Sequence, residues 1–307
     1  MKNMIRNACR GLEIAFSRAQ RSQSESFSAK PSKSGISDIE LTRLSLLTPA
    51  PLEVGAFSMR GRGHRLSGEA RQDAYVIFET ENSVVMAVAD GVSSSKRSEV
   101  AANIAVKNLE SDYNDIVGSE SLEGVDMWLE LNRRISKRLL NKFAHSQKQH
   151  GLTVPTALHQ LREAAADEFA TTLEVLVISK QVSADSSREF LYVSICGDGG
   201  LFRLQQNSKD IVDMLPERLE IDQNGVLALP AVDELPTIQS GKLLTGESLI
   251  LCTDGLAENM RRNLAFRQVI LKMVKQGSID YLRMVESATF AKDLNYDDKT
   301  AILALNK

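Results

Sequence analysis

The stretch Val84–Gly91 reads VVMAVADG, an almost continuous apolar run that ends in an aspartate followed by a glycine. The same pattern returns in Leu191–Gly199, LYVSICGDG, and in Ser248–Gly255, SLILCTDG. Apolar runs of this length predict short strands that are covered on both faces. A carboxylate at the end of a buried strand is costly unless another group compensates its charge. Because Asp-Gly pairs also form hairpin turns, any one of these runs alone is explained equally well as turn chemistry.

Two further acidic positions lie at predicted strand borders. Asp73 precedes the predicted strand Ala74–Thr80, and Asp297-Asp298 precede the last predicted strand, Thr300–Leu305. The whole acidic set contains no His or Cys, so its possible ligand atoms are all oxygen. Hard oxygen ligands suit Mg²⁺ or Mn²⁺ and disfavour zinc. If these carboxylates meet at one rim of the fold they repel one another, and a divalent cation would remove that cost.

The middle of the chain changes to helical periodicity. Val125–His145 places Trp128, Leu131 and Ile135 on one stripe at spacings of three and four residues. Further helices are predicted at Ser98–Glu110, Thr156–Ala166, Leu264–Val274 and Ile279–Ala291, and further strands at Val54–Arg60, Ser83–Ala89, Thr172–Ile178, Glu189–Ser194, Gly200–Gln205 and Ser248–Cys252. Strands on both sides of a helical block favour the α+β class over alternating βαβ units. The proline-containing stretch Asp210–Leu244 is interpreted as hairpins and a surface loop.

Composition narrows the function classes. The chain has 307 residues, 43% of them hydrophobic and 25% charged, with a formal net charge of −3. A nucleic-acid surface usually needs a clear basic excess, so none is expected. No apolar run approaches the ~18 residues of a membrane span, so none is predicted. Three scattered cysteines do not form a disulfide framework, and this usage predicts a reducing, cytoplasmic compartment.

The composition also divides the chain. Residues 1–51 are predicted to be a flexible N-terminal segment that is basic and rich in serine, with a short amphipathic helix at Ile5–Ala19. An organelle transit peptide is an alternative interpretation of this segment. Residues 52–307 are predicted to form one folded domain.

Six short motifs resemble, in order and spacing, those of the PPM or PP2C-type family of metal-dependent serine/threonine protein phosphatases. They are Gln72-Asp73, Ala89-Asp90-Gly91-Val92, Ala170-Thr171-Thr172-Leu173, Cys196-Gly197-Asp198-Gly199-Gly200, Cys252-Thr253-Asp254-Gly255-Leu256 and Asp297-Asp298-Lys299-Thr300. Gly63-His64 ahead of Gln72-Asp73-Ala74 is similar to the bacterial PP2C-like subgroup. The resemblance covers roughly Val54 to Leu305.

The resemblance implies a four-layer α-β-β-α fold, in which two antiparallel sheets form a β-sandwich flanked by helical pairs. It also implies a binuclear Mn²⁺ or Mg²⁺ centre at one rim. The implied ligands are Asp73, Asp90, Asp254, Asp298 and the backbone carbonyl of Gly91, with Asp198 at a third, weaker metal. In such a centre a bridging water attacks the phosphate, and no protein nucleophile is needed. The implied substrate is a phosphorylated protein, with a Ser/Thr kinase as functional opposite, and the chain is expected to be a monomer.

The sequence departs from the family pattern around the substrate. Gly68 occupies the position, five residues before Asp73, where the family usually has a phosphate-binding Arg. Arg62 or Arg65 is the predicted replacement, because a bidentate guanidinium suits a phosphate. His64 is a candidate general acid, although a lone loop His is more often exposed, and we expect that here.

Three other positions differ from the family pattern. Gln72 replaces a family Glu, Gly200 replaces the Arg of the fourth motif, and Lys299 replaces an Asn and is expected to point to solvent. These differences leave two alternatives to a protein phosphatase. One is a weak or inactive pseudophosphatase that acts as a binding module, and the other is a phosphatase of small molecules.

Overall fold

The computed structural model describes residues 39–46, 51–117, 124–205, 210–215, 227–232, 235–275 and 297–307. The strands are β1 Ile39–Leu46, β2 Leu52–Met59, β3 Ala74–Glu79, β4 Ser83–Ala89, β5 Leu173–Ser179, β6 Arg188–Cys196, β7 Gly200–Leu204, β8 Ile211–Asp213, β9 Thr237–Leu243, β10 Ser248–Cys252 and β11 Lys299–Asn306. The helices are α1 Arg62–Ser67, α2 Ser98–Lys107, α3 Leu109–Val117, α4 Val125–Gln149, α5 Leu158–Ala166, α6 Asp254–Arg262 and α7 Leu264–Lys275.

The strands form two sheets in which every pairing is antiparallel. The first sheet has six strands in the order β1-β2-β11-β10-β7-β8, and the second has five in the order β3-β4-β5-β6-β9. The predicted α+β class and the predicted pair of antiparallel sheets are confirmed. The stretch that the sequence leaves as hairpins and a loop supplies the edge strands β8 and β9.

Side-chain alternation explains the layers. Within β4, Val84, Met86 and Val88 contribute to the core between the sheets, whereas Val85 and Ala87 belong to the core under the helices. Helices α2 to α5 cover the outer face of the second sheet, and α6 and α7 cover that of the first. Both sheets are therefore covered on both faces, as the continuous apolar runs predict.

The helical stripe is confirmed, because Trp128, Leu131 and Ile135 of α4 are all buried. The predicted helix Ser98–Glu110 is two helices, α2 and α3. The helices α1 and α6 are not among the predicted helices. The predicted helices Ile5–Ala19 and Ile279–Ala291 lie outside the described residues.

The prediction of a flexible segment up to residue 51 is wrong for Ile39–Leu46. These residues form β1, which pairs with β2 along its whole length, from Ile39 opposite Met59 to Leu46 opposite Leu52. The fully buried Arg71 guanidinium donates from Nη2 to Glu40 Oε2 at 2.8 Å. The strand therefore depends on its pairing with β2 and on the contact of Glu40 with Arg71, which the local composition does not reveal. Residues 1–38 and 47–50 lie outside the described residues.

Candidate metal centre

The sheets bring the predicted aspartates to one rim. Asp73 precedes β3 and Asp90 follows β4, and these two strands pair with Ala74 opposite Ala89. In the other sheet β10 and β11 pair with Cys252 opposite Ala301, so that Asp254 and Asp297-Asp298 also lie at neighbouring strand ends. Antiparallel register alone thus makes two carboxylate pairs, one from each sheet.

Two glycines let neighbouring segments approach this rim closely. A Cβ atom on Gly91 would lie 2.7 Å from the carbonyl carbon of Ser98, the first residue of α2. A Cβ atom on Gly255 would lie 2.1 Å from the carbonyl oxygen of Asp298. Any side chain would therefore displace α2 or the Asp297-Asp298 segment, which explains why Asp90 and Asp254 are each followed by glycine.

Asp90 and Asp254 are buried acids, one from each sheet, that act on each other. Burial, followed by the charges of Asp73 and Asp254, raises the pKa of Asp90 well above its usual range. Burial also raises the pKa of Asp254 to about 6, with the charge of Asp198 contributing in the same direction. The two carboxyl groups lie close enough for each to act on the pKa of the other. A cation between them would offset the negative charge that burial disfavours.

Asp73 is almost completely buried. Its Oδ2 accepts a hydrogen bond from Thr253 Oγ1 at 2.8 Å, whereas its Oδ1 is buried without a hydrogen-bond partner. Burial and the nearby charge of Asp298 raise the pKa of Asp73 well above its ordinary value. A buried acid with an unsatisfied oxygen is costly in water-free surroundings, so this site favours either a proton or a cation.

Three buried oxygens without hydrogen-bond partners indicate whether the rim suits a metal ion. Asp73 Oδ1, Asp254 Oδ1 and Gln72 Oε1 are buried and lack hydrogen-bond partners among the described residues. All belong to residues of the predicted acidic motifs, and oxygen is the ligand that Mg²⁺ and Mn²⁺ prefer. The donor set therefore fits hard divalent cations.

The Asp298 carboxylate is hydrogen-bonded, and it also lies close to possible ligand atoms of His64 and Asp297. Its Oδ1 accepts from Gly61 N at 2.6 Å and from His64 Nδ1 at 2.9 Å. Its Oδ2 accepts from Gln72 N at 2.5 Å and lies 3.4 Å from Asp73 N. A carboxylate has about four lone-pair directions, and these four donors occupy them.

Asp297 lies near the other aspartates of the rim. Its charge acts on Asp73, Asp90 and Asp254 and raises the pKa of all three, so it lies near all of them. The pKa of Asp297 is itself raised, mainly by burial. Asp297 is therefore a further candidate metal ligand beside the predicted Asp298, and possible ligand atoms of Asp297, Asp298 and His64 all lie within 4.8 Å of one another. Sequence spacing places both residues at the strand end but does not show which carboxylate turns toward the rim.

His64 is not the exposed loop residue that we expect from the sequence. It lies on α1, is 8% exposed, and donates a hydrogen bond from Nδ1 to Asp298. That hydrogen bond is the largest cause of the raised pKa of His64. Arg62 and Arg65 lie three residues apart on the same helix, and both are exposed.

Three other charged residues complete the surroundings. Asp198 lies in the turn between β6 and β7, near enough to Asp254 to raise its pKa. Lys299 is 4% exposed, so the prediction that it points to solvent is wrong. Arg71 is also internal, because its Nε donates to the Asp73 carbonyl at 3.2 Å and its Nη1 to the Ser58 carbonyl at 3.4 Å.

Sequence reasoning misses the threonines that hold the aspartates. Asp90 N donates to Thr172 Oγ1, and Thr171 Oγ1 donates to the Asp90 carbonyl, both at 2.9 Å. Thr253 Oγ1 donates a hydrogen bond to the Asp73 side chain. All three threonines lie within the six motifs. The sequence signal that could have identified them is therefore a hydroxyl side chain in a motif that contacts a buried aspartate.

Bacterial phosphatases have this fold among solved structures. RsbX in complex with magnesium matches with a TM-score of 0.53 at 15% identity, over 87% of this chain and 100% of that chain. The serine/threonine phosphatase Stp1 from Staphylococcus aureus matches with a TM-score of 0.56 at 17% identity, over 83% and 95%. The catalytic domain of PstP in complex with 2 manganese ions matches with a TM-score of 0.50 at 14% identity, over 82% and 97%. At these identities the likeness shows a shared fold.

A sequence model of the family described as protein phosphatase 2C matches residues 60–286. The chain belongs to the protein phosphatase 2C family, whose members are phosphoric monoester hydrolases. The resemblance carried by the six motifs is therefore confirmed. No curated protein sequence matches the chain. In the part of the chain that the structure describes, no helix has both the length and the apolar character needed to cross a bilayer.

Proposed function

We propose that the protein is a metal-dependent phosphatase that hydrolyses phosphoserine and phosphothreonine in proteins. The observation that carries this proposal is the rim of buried aspartates with raised pKa values and unpartnered oxygens. Such a rim is unfavourable without cations and becomes favourable with them. The solved relatives named for magnesium and manganese support these two ions as cofactors.

Two metal ions would be held by the side chains of Asp73, Asp90, Asp254 and Asp297, with the Gly91 carbonyl as a further ligand. Asp198 is the proposed ligand of a third, weaker ion, because its charge already acts on Asp254. Bound cations would lower the pKa of a coordinated water and offset the charge that develops on the phosphoryl oxygens. The aspartates fix the cations in place, and no side chain of the protein needs to act as nucleophile.

Arg62 and Arg65 are the proposed groups that bind the substrate phosphate. Helix α1 is tied to the rim through His64 and Gly61 N, both of which contact Asp298. Residues three apart lie on the same helix face, so the two exposed guanidinium groups stand together beside an anchored residue. A guanidinium pair suits a phosphate because it donates several hydrogen bonds in a fixed geometry.

An activity assay on one phosphopeptide, with Mn²⁺, Mg²⁺ or EDTA, tests this function. We expect turnover with either cation and none with EDTA. Asp90→Ala should lower kcat/KM by roughly 100-fold or more, because charge stabilisation by a bound metal is worth several kcal/mol. Asp115→Ala, which changes an exposed aspartate of α3, is the matched control and should leave kcat/KM unchanged.

Equal activity of Asp90→Ala and wild type would refute the assigned site. Absence of both turnover and Mn²⁺ binding would instead favour a pseudophosphatase that serves as a binding module. Turnover of phosphorylated metabolites but not of phosphopeptides would move the substrate class to small molecules. A Ser/Thr kinase as functional opposite, a cytoplasmic location and a monomeric state remain parts of this proposal.

A further inference from the structure

The Asp298 side chain connects segments that are far apart in the sequence. Its four donors come from the residue before α1, from α1 itself, and from the two residues before β3. The sequence separations are 237, 234, 226 and 225 residues. The carboxylate is buried, so these hydrogen bonds form with little competition from water.

The contacts of Asp298 fix two of the proposed metal ligands. Its Oδ2 accepts from Gln72 N and lies near Asp73 N, which holds the main chain that carries the Asp73 side chain. Its own amide donates to Asp297 Oδ1 at 2.8 Å, which orients the Asp297 carboxylate. Its carbonyl oxygen lies close to Gly255, because a Cβ atom built on that residue would be 2.1 Å from the oxygen.

His64 completes this arrangement as the one side-chain donor to Asp298 among the described residues. Without it, Oδ1 would keep only the Gly61 amide, and the carboxylate would have one fewer bond to resist rotation. His64 also joins α1 to the rim, since its ring is 10% exposed and directed inward.

We propose that Asp298 and His64 are positioning residues, which hold Asp73 and Asp297 for metal binding while binding no metal themselves. This inference rests on the proposed metal centre. It differs from the ligand assignment, because it predicts separate consequences for two adjacent aspartates. Hydrogen-bonded partners of metal ligands are typically worth about 10–100-fold in metal affinity.

Mn²⁺ titration calorimetry on the full chain separates the two roles. Asp297→Asn should remove one Mn²⁺ from the stoichiometry or weaken its binding by more than roughly 100-fold. Asp298→Asn and His64→Ala should keep the wild-type stoichiometry and weaken binding by about 10–100-fold. His64→Gln, whose amide can still donate to Asp298, should recover part of the lost affinity. His145→Ala, which changes an exposed histidine of α4, should bind as wild type does.

Circular dichroism of each metal-free variant establishes that it is folded before titration. Should Asp298→Asn fail to fold, His64→Ala and His64→Gln carry the comparison. The proposal is overturned if His64→Ala binds Mn²⁺ as wild type does, or if Asp298→Asn loses an ion that Asp297→Asn retains. It is also overturned if His64→Gln recovers nothing. Absence of Mn²⁺ binding by the wild type would instead refute the proposed function.

Discussion

Thr253 is the residue whose hydroxyl joins the buried Asp73 to the first sheet. Its Oγ1 donates to Asp73 Oδ2 at 2.8 Å and accepts from Thr300 N at 3.1 Å. Thr253→Val keeps the side-chain shape, but it leaves the buried Asp73 Oδ2 and the buried Thr300 amide without the Thr253 hydroxyl as a hydrogen-bond partner. We expect the metal-free protein to lose about 1–3 kcal/mol of unfolding free energy. Urea denaturation in EDTA at pH 7 measures this loss.

The control for this prediction is Thr245→Val. Thr245 Oγ1 also donates a hydrogen bond, to the Ser186 carbonyl at 2.8 Å, but this bond is exposed to solvent. Its loss should change the unfolding free energy by less than about 0.5 kcal/mol, because water replaces the partner. A Thr253→Val protein as stable as wild type would show that the Asp73 carboxyl group does not depend on this hydroxyl.

Single residues also show where sequence reasoning stops. Asp73, Asp90 and Asp254 are found because each ends or precedes an apolar strand, and strand pairing then brings them together. Asp297 and Asp298 are adjacent in that same pattern, and only their contacts distinguish them. The burial of His64 is equally hidden, because it depends on a partner more than 200 residues away.

At the scale of elements, β1 extends the first sheet beyond the predicted domain. Removal of residues 1–38 keeps this strand, whereas removal of residues 1–50 deletes it and leaves the buried Arg71 without Glu40. An uncompensated buried charge is strongly destabilising. We therefore expect the unfolding free energy of the chain that starts at residue 39 to exceed that of the chain that starts at 51 by on the order of 2–4 kcal/mol. Urea denaturation measures this difference, and the longer chain should have the higher midpoint.

A full-length Glu40→Gln variant isolates the charge in this comparison. Its glutamine can still accept a hydrogen bond from Arg71, so its stability should fall between those of the two truncated chains. Equal stability of the truncated chains would mean that β1 adds nothing to the domain, and the predicted boundary at residue 52 would stand.

Element prediction succeeds where the core enforces a pattern. The strands β3, β4 and β10 and the helix α4 follow directly from apolar runs or stripes, because each is covered by another layer. Helix α1 has six residues and one buried side chain, so its sequence carries no stripe. It forms where Gly61 N and His64 reach Asp298, and such a tertiary contact leaves no periodic signal.

For the whole molecule, the packing of two sheets between two helical layers brings acidic groups close together at one rim. Each sheet must present an apolar face to the other, and the strand ends that carry the aspartates then converge. Motif order could predict this convergence, since it requires only antiparallel neighbours. The resulting excess of negative charge makes stability depend on pH and on cations.

The metal-free protein should become less stable as the pH rises from about 4 to 7. The pKa of Asp254 is raised from 3.8 to about 6, and those of Asp73 and Asp90 are raised as well. Between the unfolded and folded pKa values the native state binds more protons than the unfolded state, so the unfolding free energy falls with rising pH. At about 1.4 kcal/mol per pKa unit, Asp254 alone contributes roughly 3 kcal/mol.

Mn²⁺ should take over the role of the protons and stabilise the protein most near pH 7. Urea midpoints at pH 5, 6 and 7, with EDTA or with Mn²⁺, test this, and a metal-free midpoint that increases with pH would show that the aspartates do not carry raised pKa values.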